Sequence, residues 1–66
     1  MSQLYSAVKK IEEICSRKGL HPYRTKGQIA LRVGFVLSFI DDQTPDNPSE
    51  LRRLKAAALE VLGEPI

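Results

Sequence analysis

Two interruptions, residues 19–25 and 42–48, cut this chain into three segments, each with the apolar spacing of a helix. No segment repeats another, and at 66 residues the chain reads as a single domain over residues 1–66. In the first segment Leu4, Val8, Ile11 and Cys15, flanked by Ala7 and Ile14, recur at three- and four-residue spacing. Ser2 is placed to cap that helix at its start. Arg17 and Lys18 suit the negative end of its dipole, and Gly19 suits the left-handed residue that ends it. The third segment has the plainest start. Asn47 fits the cap, Pro48 the first helical position and Glu50 the third, and Leu51, Leu54, Ala58, Val61 and Leu62 form an inner stripe up to Gly63.

The middle segment is less direct. Thr25-Lys26-Gly27-Gln28 has the form of a capping box, which predicts a helix from about residue 26 to 41. Val33, Phe35, Val36, Phe39 and Ile40 would also suit a strand, but length and the cap favour helix. The expected fold is therefore all-α, a small three-helix bundle with helices over about 2–18, 26–41 and 48–62. Connections of about four to seven residues would set neighbouring helices antiparallel.

Such a middle helix would be apolar on two sides. Ile29, Val33, Val36, Leu37 and Ile40 fall in one arc at 100° per residue, and Leu31, Phe35 and Phe39 fall roughly opposite. Two neighbouring helices cannot readily cover both arcs. Gly34 would let a second backbone approach closely. Leu31, Gly34, Phe35 and Phe39 are thus the expected interface. The alternative is that the first and third helices straddle the middle one and hide both arcs.

Size points the same way. A chain of 66 residues buries only about 60% of its unfolded surface, so small domains usually need a staple. One cysteine, Cys15, excludes an internal disulfide. One histidine, His21, and one cysteine cannot supply four zinc ligands. Self-association is the remaining staple, so homodimerisation is expected to complete the bundle. No metal and no cofactor is expected. Asp41, Asp42, Asp46 and Glu50 lack the spacing and central glycine of a calcium loop.

Charge is divided unevenly. Residues 1–34 carry seven basic side chains against two acidic ones, and residues 35–66 three against six. Opposite halves can pair within a fold, between subunits, or with an anionic partner. Arg17, Lys18, His21, Tyr23, Arg24, Lys26 and Arg32 gather around the first interruption, beside the start of the second helix. They are the candidate contacts to an anion or a nucleic acid. As a catalytic site the chain offers little: His21 has no nucleophile or acid placed beside it, and Cys15 lies on an apolar stripe.

The stretch Ile29-Ala30-Leu31-Arg32-Val33-Gly34-Phe35 resembles the IA-x-x-x-G stretch of bacterial helix-turn-helix regulators. In those proteins a turn after the glycine introduces a separate recognition helix, whereas Phe35 to Ile40 reads here as uninterrupted helix. The resemblance ends with those residues and assigns no family.

The expectation for function is a non-enzymatic, homodimeric module that binds another protein, with a small DNA- or RNA-binding regulator as the alternative. No apolar run reaches the length of about 18 residues needed to cross a bilayer, and the first residues lack the pattern of a signal peptide. With a single cysteine, the expected location is the cytoplasm.

Overall fold

A computed structural model describes residues 2–66 as three α-helices and one 3-10 turn. The helices are α1 (Gln3–Lys18), α2 (Pro22–Val33) and α3 (Pro48–Leu62), and the turn spans Leu37–Phe39. No strand occurs among the described residues.

Local chemistry accounts for both ends of α1. The Ser2 hydroxyl accepts the Tyr5 amide at 3.2 Å, satisfying one of the four amides a helix start leaves open. At the other end Gly19 adopts φ 72°, and the Leu20 and Gly19 amides donate to the carbonyls of Cys15 and Ser16 at 2.8 and 3.4 Å. That is the paired closure of a Schellman ending. α3 begins where Asn47 Oδ1 accepts the amides of Ser49 and Glu50 at 3.0 and 3.1 Å, and it ends at left-handed Gly63.

The middle helix departs from expectation at both ends. It begins at Pro22, not at residue 26. His21 is the cap, its Nδ1 accepting the Arg24 amide at 3.3 Å, and proline occupies a position that needs no donor. Thr25 is buried inside the helix and caps nothing. At the far end Gly34 turns left-handed, with φ 85°, and its amide donates to the Ala30 carbonyl at 2.9 Å. No other part of the same chain approaches Gly34, where a Cβ would meet nothing within 4 Å. The glycine serves instead to stop the helix. Beyond it Val36 is extended and the short turn follows. The second connection therefore runs over residues 34–47, longer than expected, and no single helix carries two apolar faces.

α1 and α3 run parallel, pinned at both ends. Near their starts Asp46 Oδ1 accepts the Gln3 amide at 2.6 Å and the Ser2 hydroxyl at 3.3 Å. Near their ends Lys18 Nζ donates to the Leu62 carbonyl at 2.6 Å, and Arg17 pairs with Glu64. α2 doubles back across this pair after the short turn at Gly19. The core joins Leu4, Val8, Ile11, Ile14 and Cys15 of α1 to Ile29 and Val33 of α2. Leu37 of the turn and Leu54, Ala58 and Leu62 of α3 complete it. Each large apolar side chain taken out of water there contributes about 1.5–3 kcal/mol.

Candidate interaction surfaces

The shortened α2 changes what the apolar residues near Gly34 do. Thr25, Ile29 and Val33 lie one turn apart and face inward. Leu31, two residues past Ile29, projects from the opposite side and keeps 87% of its surface exposed. Phe39, at the end of the 3-10 turn, keeps 82%, and Val36 keeps 50%. Phe35 is half-buried against the core, and Ile40 packs there too. Of the expected interface residues, then, Leu31 and Phe39 stand free of their own chain. Phe35 is drawn partly inward, and Gly34 is a helix stop. The alternative in which the outer helices cover all three large side chains does not hold. Exposed Leu59 of α3, at 49%, was not anticipated.

The basic turn is largely neutralised within the fold. Arg17 and Lys18 both reach Glu64, the second at 3.4 Å. Lys26 Nζ donates to Glu12 at 2.9 Å, retains only 11% of its side-chain surface, and lies 5.1 Å from the centre of the Tyr23 ring. Arg32 pairs with Glu60 at 3.2 Å and also donates to the Gln28 carbonyl. Three of these four cations meet carboxylates of the acidic half, so part of the opposed charge of the two halves is paired inside the molecule. Arg24 has no ion-pair partner among the described residues. The carboxylates respond as expected for paired groups. The hydrogen bond from Lys26 holds Glu12 below the usual glutamate value, and Arg17 does the same for Glu64.

A shallow groove of about 310 Å³ lies between α1 and α3 and was not anticipated. Ala7, Leu51 and Ile66 supply its apolar surface, and Lys10 of α1 and Lys55 of α3 supply two cations. Neither lysine has an ion-pair partner among the described residues. A sequence signal did exist. Lys55 has no acidic residue three or four positions away, and Lys10 has only Glu13, so little on their own helices could neutralise them.

Cys15 is a free, fully buried thiol within the core. Asp41 is engaged within its own turn and Asp46 across the fold. Asp41 Oδ1 accepts the Gln43 amide at 2.9 Å, and Asp46 holds the start of α1. Among the described residues no three metal-binding side chains gather, and no helix is long and apolar enough to cross a membrane. No protein-family model, no curated protein and no solved structure matches the chain.

Proposed function

We propose that the chain is a small, non-catalytic interaction module of the cytoplasm that works as a homodimer and binds another protein. The observation that carries the reading is the exposure of Leu31 and Phe39, the two most exposed large apolar side chains among the described residues. A protein of this size has few ways to add buried area except by association. Covering a leucine and a phenylalanine on each of two copies recovers about 1.5–3 kcal/mol per side chain, before the cost of bringing the copies together. The nucleic-acid reading is less well supported, because four of the basic-turn cations already have carboxylate partners.

Sedimentation at micromolar concentration tests the proposal. A species of twice 7.4 kDa is the expected result, and Phe39→Asp should return it to one copy. A wild-type chain that stays at 7.4 kDa removes the homodimer. Filter binding at two salt concentrations tests the alternative: retention of DNA or RNA that falls steeply with salt would favour it.

A further inference from the structure

Two surfaces of this molecule carry opposite charge beside apolar side chains. One is the groove between α1 and α3, apolar along Ala7, Leu51 and Ile66 and carrying Lys10 and Lys55. The other is the segment Phe39-Ile40-Asp41-Asp42, in which an exposed aromatic ring is followed by two exposed carboxylates. We propose that this segment of one copy seats in the groove of a second copy, with Phe39 against the apolar lining and Asp41 and Asp42 beside Lys10 and Lys55. The proposal rests on the self-association reading above and names the surfaces that meet.

Three observations support the match. The charges are opposite, and none of the four groups makes an ion pair among the described residues. Lys10 and Lys55 form no ion pair within 4 Å, and Asp42 has no side-chain hydrogen bond or ion pair, among the described residues. The groove's volume stands at the lower end of the roughly 300–1,000 Å³ range of ligand sites. It is open, so it suits one aromatic side chain on a partner's backbone better than a small molecule, which needs 70–90% of its surface covered. The segment is also held in shape before it docks. Asp41 Oδ1 accepts from the Gln43 amide and the Thr44 hydroxyl, and the Asp41 amide donates to Thr44 Oγ1 at 2.9 Å. A preformed turn loses less entropy on binding. Asp46, the carboxylate at the Gln3 end of α1, is already engaged by Ser2 and Gln3 and does not compete for the lysines.

The contact joins unlike surfaces, yet a two-fold axis permits it twice, each copy giving its segment and receiving its partner's. Charge-swapped chains test it. K10E/K55E reverses the groove, and D41N/D42K removes and reverses charge on the segment while keeping an acceptor at residue 41 for the turn. Either chain alone is expected to associate at least about tenfold more weakly than wild type. An equimolar mixture should regain association, because the intact segment of the first chain meets the intact groove of the second. One chain carrying all four substitutions should also regain it, which shows that the substituted residues do not simply prevent folding. If wild type self-associates and both reversed chains associate equally well, this contact is refuted and the homodimer stands by another surface. Loss in each chain without recovery in the mixture refutes it as well. A monomeric wild type overturns both readings.

Discussion

α1 and the stretch from Leu31 to Ile40 each hold seven apolar residues, in sixteen and ten positions respectively, but they use them differently. In α1 every aliphatic side chain from Leu4 to Ile14 is buried. From Leu31 to Ile40 only Val33 and Leu37 are, while Leu31, Val36 and Phe39 face outward. The contrast follows from periodicity. α1 keeps one helical register between two well-made caps, so its apolar stripe stays on one side. In the other stretch the register breaks at Gly34, and residues that a continuous helix would have aligned are pointed in several directions. Hydrophobic residues thus fill a core only where the backbone keeps them in phase, and a denser run of them out of phase becomes partly surface.

This contrast can be broken by substitution, beginning with the largest effect. Ile11→Ala, at a fully buried position, should cost about 2–5 kcal/mol and leave a domain of this size barely folded at room temperature. Leu31→Ala should change the stability of the single chain by less than about 0.5 kcal/mol. Urea unfolding at low concentration compares the two, and equal losses would erase the distinction. Gly34→Ala should cost about 1–2 kcal/mol, because φ 85° is strained for any side chain. Far-UV circular dichroism of that variant shows whether α2 now runs on toward Ile40. Asn47→Ala should cost about 1 kcal/mol by opening the start of α3, read by thermal unfolding.

The smallest effect is electrostatic. Glu12 and Glu64 are held below the ordinary glutamate value, so their pairing stabilises the fold at and above the ordinary carboxylate range. That contribution disappears as pH falls through their lowered values. Unfolding measured from neutral to acid pH should show the loss, and E12Q/E64Q should flatten it.

How much was legible follows the same division. The ends of α1 and α3 could be read because Ser2, Gly19, Asn47, Pro48 and Gly63 act on amides and carbonyls within a few residues of themselves. The end of α2 could not. Gly34 is compatible with a mid-helix position, and Phe35 to Ile40 continues the apolar pattern without a break. What decides is the burial of Leu37 and the partial burial of Phe35 and Ile40 against helices distant in sequence. The start of α2 was obscured by a competing signal, since Thr25 and Gln28 form a plausible box while His21 and Pro22 form the one used. Exposure of Leu31 and Phe39 was anticipated, although the two-faced helix behind that expectation does not exist. The groove was missed because it depends on how two helices far apart in the chain lie side by side.

The side-by-side alignment of α1 and α3 has a bearing on synthesis. The clasps at Asp46 and Glu64 join residues 43 to 47 positions apart. A nascent chain that has not yet reached Leu54 and Leu62 lacks the wall against which α1 packs. α1 and α2 can meet early, but assembly must wait for the final helix to emerge. Until then the apolar stripe of α1 lacks half of its cover.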